Sequence, residues 1–165
     1  ELGKDYVGLL CLLQSLEEVF LCSYLKICLQ HYTFATKMES NNLTTGIELI
    51  LSKKVTENDT ASAYASGSLE VLATPAMIAF MEHTCLQLTE PYLESGYDTV
   101  GNHVDVKHLK ATKVGKTITC AARLIDKQGP KLKFSVEAHD EDGKIGTGIH
   151  KRYIIERSSF IKNLK

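Results

Sequence analysis

Residues 72–82, Leu-Ala-Thr-Pro-Ala-Met-Ile-Ala-Phe-Met-Glu, form an almost wholly apolar run that carries a single carboxylate, Glu82. The run continues with helical periodicity from Pro75 to about Leu88, and Glu90-Pro91 ends it. Thr74-Pro75 is a helix start signal. Threonine can cap free N–H groups, and proline suits the first helical position because its missing N–H costs nothing there. A helix this apolar needs cover on most of its circumference. Its acid needs an explanation too, since burying an unpartnered ionised carboxylate costs several kcal/mol, as a rough magnitude. Either Glu82 turns to solvent between apolar faces, or it is held for chemistry.

The rest of the chain supplies the cover. Residues 46–55 read as a strand, followed by a polar connection over 56–68. After the helix come four strand-like segments, 99–109, 116–126, 132–140 and 145–155, separated by turns at Lys113-Val114-Gly115, Lys127-Gln128-Gly129-Pro130 and Glu141-Asp142-Gly143. Alternation puts Ile118, Cys120, Ala122 and Leu124 on one face of the second segment, and Leu132, Phe134, Val136 and Ala138 on one face of the third. One strand, one long helix and an antiparallel meander give an α+β domain, a curved sheet wrapped around a central helix. A single sheet leaves an open edge, so pairing with a second copy, as a homodimer or a higher homo-oligomer, is expected.

At 165 residues the chain suits one domain with a proper core. Residues 1–37 differ from the rest: they form an apolar extension that either packs as an extra helix or precedes a natural start at Met38, and the second is the expectation here. The longest uncharged stretch, 6–16, is too short to span a bilayer, so no membrane partner is predicted. Net charge is −1, which argues against a nucleic-acid surface. Five cysteines, with no C-x-x-C spacing, argue against a disulfide framework or a zinc site and for a reducing, cytoplasmic setting.

Three polar residues stand out as candidate catalytic groups. Glu82 has only Ile78, Ala79, Cys85 and Leu86 at helical neighbour spacing, and none can neutralise it. His108 shares a strand face with Val104 and Val106, so it faces the core if they do. Alone it reads as an ordinary core histidine; beside Glu82 it would be an acid/base partner. Thr74 is most simply a cap, yet the helix start also presents free N–H groups, from Ala76 and Met77, that could polarise a carbonyl oxygen. Gly101 lies inside a strand, where glycine marks a bulge or a close approach. Eight helical residues span about 12 Å, so Thr74 and Glu82 of one helix cannot touch. Two antiparallel helices in a dimer could bring one chain's Thr74 to the other's Glu82.

The segment 72–85, with Gly101 and His108, resembles the fluoroacetyl-CoA thioesterase family of hotdog-fold proteins. The intervals of eight and twenty-six residues agree, and 146–152 resembles the family's last strand. The resemblance runs from Met38 to the C-terminus. It implies a hotdog fold and hydrolysis of an acyl-CoA thioester at a dimer interface, with Thr74, Glu82 and His108 catalytic, Gly101 at the substrate, and neither metal nor cofactor. Two departures, Pro75 after Thr74 and a connection over 56–72 whose single aromatic is Tyr64, leave the acyl group open. A non-catalytic acyl-CoA-binding dimer and, less favoured, an enoyl-CoA hydratase are the rival readings. Lys107, Lys110, Lys113 and Lys116 are the cations the sequence offers for CoA phosphates.

Overall fold

The computed structural model describes residues 43–164; the extension expected over 1–37 lies outside them. Five strands, β1 (Glu48–Lys54), β2 (Tyr97–His108), β3 (Thr117–Gln128), β4 (Lys131–Asp140) and β5 (Gly143–Glu156), make one antiparallel sheet in the order β1-β3-β4-β5-β2. The long helix α1 (Thr74–Thr89) packs on β1, β2, β3 and β4. This is the wrapped helix expected from the apolar run.

The core forms where the two periodicities meet. Ala76, Met77, Phe80, Met81, Thr84, Cys85, Leu88 and Thr89 are buried on α1, a four-residue spacing that keeps one broad side against the sheet. Facing them, the alternating residues expected on β3 and β4 are all buried, from Ile118 to Leu124 and from Leu132 to Ala138. Two hydroxyls enter this core without being orphaned: Thr84 Oγ1 donates to the Phe80 carbonyl and Thr89 Oγ1 to that of Leu86, both at 2.8 Å. Gly146 on β5 lets the helix approach, since a Cβ there would lie 2.6 Å from Met77 Sδ.

Along α1 the half-buried positions are Ile78, Glu82, Leu86 and Gln87. Beside this stripe runs β2, the sheet's edge strand, whose residues 101–105 are exposed. Val104, on the helix-facing side of β2, keeps 38% of its surface open.

The sequence reading misses two single-turn 3-10 helices, Glu57–Asp59 and Glu90–Tyr92, and a short helix α2 (Arg157–Lys162). The cap of α2 is the Glu156 carboxylate, which accepts from the Ser158 and Ser159 N–H groups at 2.9 and 2.8 Å. Those bonds, with the seryl hydroxyls, hold the Glu156 acid down at about 2.

Candidate active site

Thr74 is not the cap that the sequence predicts. Ala73, extended at φ −69 and ψ 141, is the N-cap, and Thr74 is the first helical residue. Its hydroxyl is thereby released from capping and turns to the end of β2, where Oγ1 lies 2.9 Å from His108 Nδ1. Strand alternation carries His108 inward as expected, and the two residues share a cleft of about 340 Å³ with Val71, Leu72, Leu109 and Ala111.

Burial pushes the His108 imidazole below its ordinary value, against an upward pull from the Lys110 backbone. The ring is therefore neutral at physiological pH, as a proton acceptor must be. Its Nε2 is buried and has no hydrogen-bond partner among the described residues.

Of the two helix-start N–H groups predicted to be free, one is. Met77 donates to the Ala73 carbonyl at 3.0 Å, which removes it from the set. Among the described residues nothing accepts from Ala76, because its helical partner would precede the cap.

Glu82 sits in a different cluster. Its nearest polar neighbour comes from the sheet rather than from its own helix, and it is His150 rather than His108 of the same chain. Glu82 Oε1 is 3.6 Å from His150 Nε2 on β5, with the glutamate side chain 38% exposed and His150 almost fully buried. A Cβ on Gly101 would lie 2.9 Å from Glu82 Oε1 and 3.0 Å from His150 Cε1. Gly101 is thus the close approach its strand position suggests, and the β2–β5 register shifts just beyond it, between Gly101 and His103.

That bulge also sets the state of His150. Its Nδ1 lies 2.9 Å from the His103 carbonyl, which can only accept, so Nδ1 carries the proton. The other nitrogen then accepts from Arg152 Nη1 at 3.3 Å. Arg152 is fixed in turn by Thr99, donating to its hydroxyl at 2.8 Å and its carbonyl at 2.7 Å. Burial pushes the His150 imidazole down, against the pull of the His103 carbonyl and Glu82.

Neither His150 nor Arg152 was singled out from sequence. The available signal was alternation along β5, which puts both polar residues on the inward face shared with Gly146 and Gly148.

Both histidines resist protonation in the folded chain, and this fixes the sign of one pH effect. The unfolded chain binds protons near the ordinary value of 6.5, the folded chain only at lower pH. Their contribution to stability is complete above about 6.5 and is lost as pH falls from there towards the folded values. Asp59 and Asp140 act further down. Desolvation would raise them, but their hydrogen bonds and lysine partners hold both below 3.8. The melting temperature should therefore fall between pH 7 and pH 5, and His150→Gln should flatten that slope. Circular dichroism measures both, and a constant melting temperature over this range would contradict the burial argument.

The expected phosphate lysines are partly occupied. Lys110 lies 3.4 Å from Asp140 and 3.6 Å from Asp142, and Lys116 pairs with Glu141 and Asp142. The acidic β4–β5 turn neutralises this end of the sheet.

The chain is similar to known thioesterases in sequence and in fold. A fluoroacetyl-CoA thioesterase of Streptantibioticus cattleyicolor is 40% identical over 91 residues, covering 55% of this chain and 66% of that enzyme. A solved point variant of a fluoroacetyl-CoA-specific thioesterase, in complex with fluoroacetate and CoA, superposes with a TM-score of 0.67 and 32% identity, covering 72% of this chain and 99% of that one. A thioesterase-superfamily protein of Thermus thermophilus gives a TM-score of 0.68 at 26% identity, over 73% of this chain and 90% of that protein. The sheet and its central helix are the hotdog fold that these neighbours share. The profile of the fluoroacetyl-CoA-specific thioesterase family matches residues 55–158, and with that span including Thr74, Glu82, Gly101 and His108 the chain belongs to this family.

Proposed function

We propose that the protein hydrolyses an acyl-CoA thioester to a free acid and CoA in a site shared by two copies of the chain. The observation that carries this reading is the Thr74–His108 contact, a hydroxyl on a neutral imidazole at the mouth of a cleft. With Nδ1 accepting from Thr74, the imidazole removes the proton as oxygen attacks the thioester carbon. The attacking oxygen is that of Thr74 itself or of a water that Thr74 and His108 hold. The C–S bond then breaks, and His108 returns the proton to the CoA sulfur. On the Thr74 route a water, deprotonated by His108, next attacks the acyl-Thr74 ester, releasing the free acid as the Thr74 oxygen takes the proton back. The unoccupied N–H of Ala76 at the helix start is suited to the carbonyl oxygen as negative charge develops there.

Glu82 belongs to the same site only if a second chain brings it. Within one chain it lies about two helical turns from Thr74, beside His150 and Arg152. The half-buried stripe of Ile78, Glu82 and Leu86 next to the unpaired edge of β2 supports a two-fold dimer in which β2 continues the sheet. In that assembly Glu82 of one protomer, beside Gly101 and the His150–Arg152 pair, meets Thr74 and His108 of the other. It orients the imidazole or the attacking water. The acyl-CoA substrate is the partner; among the described residues no helix is long and apolar enough to cross a membrane. Two buried free cysteines, Cys85 and Cys120, support a reducing, cytoplasmic setting.

The acyl group follows from a panel rather than from the family name, because Tyr64 is the single aromatic over 56–72. Thiol release from short, medium and aryl acyl-CoA esters should identify at least one substrate. Its kcat/KM should rise from acid pH, level off above the depressed His108 value, and fall about a hundredfold or more in His108→Ala. Enzyme quenched during turnover and weighed by mass spectrometry separates the two attack routes, an acyl adduct on Thr74 marking the covalent one. Binding of acyl-CoA without thiol release would favour the non-catalytic reading. That reading loses its simplest support here, since Glu82 and His108 do not pair within the chain.

A further inference from the structure

A second group of cations lies on the outer face of the sheet, away from the lysines that the acidic turn engages. Lys133 on β4 and Lys151 on β5 are direct cross-strand partners, and Lys131 stands two residues from Lys133 on the same face. Like charges directly opposite repel each other, and the usual relief is a nearby carboxylate. None of the ion pairs among the described residues involves Lys131, Lys133 or Lys151. The three lysines surround a hollow of about 280 Å³ whose rim adds the amides of Asn102 and Gln128. The one acid in its wall, Asp126 on β3, stands opposite Lys133 and accepts from Gln128 Nε2 at 3.0 Å, so a single negative charge faces three lysines. A multiply charged anion in the hollow would relieve the repulsion and find amide donors beside it.

The hollow also has a place relative to the reacting groups. Asn102 is the bulge residue that follows Gly101, and Arg152, next to Lys151 on β5, also lines the hollow while its guanidinium reaches His150 on the inward face. Along the strands the hollow therefore lies level with the half of the site that carries Glu82, on the opposite face of the sheet, and not with the half that carries Thr74 and His108.

We infer that Lys131, Lys133 and Lys151 bind the phosphate groups of the CoA moiety. The protomer that supplies Glu82 then holds the charged end of the substrate, and the other supplies the attacking oxygen and the base. The identity of the anion rests on the thioesterase reading; the existence of an anion site does not.

Two measurements test this on the full chain. Calorimetric titration with adenosine 3′,5′-bisphosphate and with CoA compares the parent with a Lys131→Ala, Lys133→Ala, Lys151→Ala variant. Steady-state kinetics compare an acyl-CoA with the same acyl group on N-acetylcysteamine, which lacks phosphate. In the triple variant both dissociation constants and the KM for the CoA ester should rise about tenfold, with kcat within about twofold. The parent's salt dependence of KM should flatten. The phosphate-free ester should be unaffected, and so should Lys144→Ala, whose lysine pairs with Glu137. Unchanged binding of both nucleotides would overturn the assignment. So would a tenfold loss on neutralising Lys107, Lys110, Lys113 and Lys116 with none in the triple variant. Nucleotide binding that depends on the three lysines, in a parent that releases no thiol from any acyl-CoA, would uphold the site and sink the thioesterase reading instead.

Discussion

Two inactive variants should restore activity to each other. Alone, Thr74→Ala and Glu82→Gln should each retain no more than about a hundredth of the parental kcat on the best acyl-CoA. Co-expressed with different tags and purified through both, the mixed dimer should regain about half of the parental rate. The reason is geometric. Thr74 contacts His108 of its own chain at 2.9 Å, whereas Glu82 lies about 12 Å further along the same helix and faces His150. In a two-fold dimer each site draws Thr74 and His108 from one chain and Glu82 from the other. A mixed dimer then holds one site with both lesions and one with neither. If Glu82 served the Thr74 of its own chain, every site in the mixture would carry one lesion and activity would stay near a hundredth. A Thr74→Ala/Glu82→Gln double variant paired with the parent is the control, since each of its sites carries one lesion under the shared-site geometry and should remain inactive.

What the sequence predicts well here is set by short-range periodicity, and what it misses is set by partners far away in the chain. The inward faces of β3 and β4 follow from alternation because every second residue is apolar and buried. The helix follows from its four-residue spacing, although its start falls one residue earlier than a Pro75 beginning. Thr74 could not be resolved between cap and site group, because the choice depends on a histidine 34 residues on. Glu82 has no partner at helical spacing, and its neighbour within the chain is His150 on the last strand rather than His108, a pairing that no short-range pattern reveals. Lys110 and Lys116 looked free because their carboxylates lie 25 or more residues away. The helix α2 is too short to show a period, and its cap is a glutamate rather than the serine or threonine a start signal favours.

Gly148→Ala should be the most damaging single substitution on β5, costing about 3 kcal/mol or more and lowering the melting temperature by about 10 °C. A Cβ at this position would fall on the Asp105 carbonyl oxygen and lie 2.7 Å from Val106 Cα, both backbone atoms of β2. No rotamer change relieves such a clash, so β2 must move away from β5. Gly146→Ala makes the contrast. Its Cβ would meet Met77 Sδ at 2.6 Å and Met81 Cε at 3.2 Å, and methionine side chains can swing aside, for a cost of about 1–2 kcal/mol. The two variants should therefore separate in thermal melts, and in function as well. β2 carries His108 at one end and Gly101 nearer the other, so the displacement forced by Gly148→Ala disturbs both halves of the site at once. Activity should fall even at temperatures where the variant remains folded, while Gly146→Ala should keep kcat within a few-fold of the parent. Equal melting temperatures for the two would mean that β2 can leave β5 as easily as a methionine changes rotamer, and the edge strand would then be too loosely held to position either His108 or Gly101.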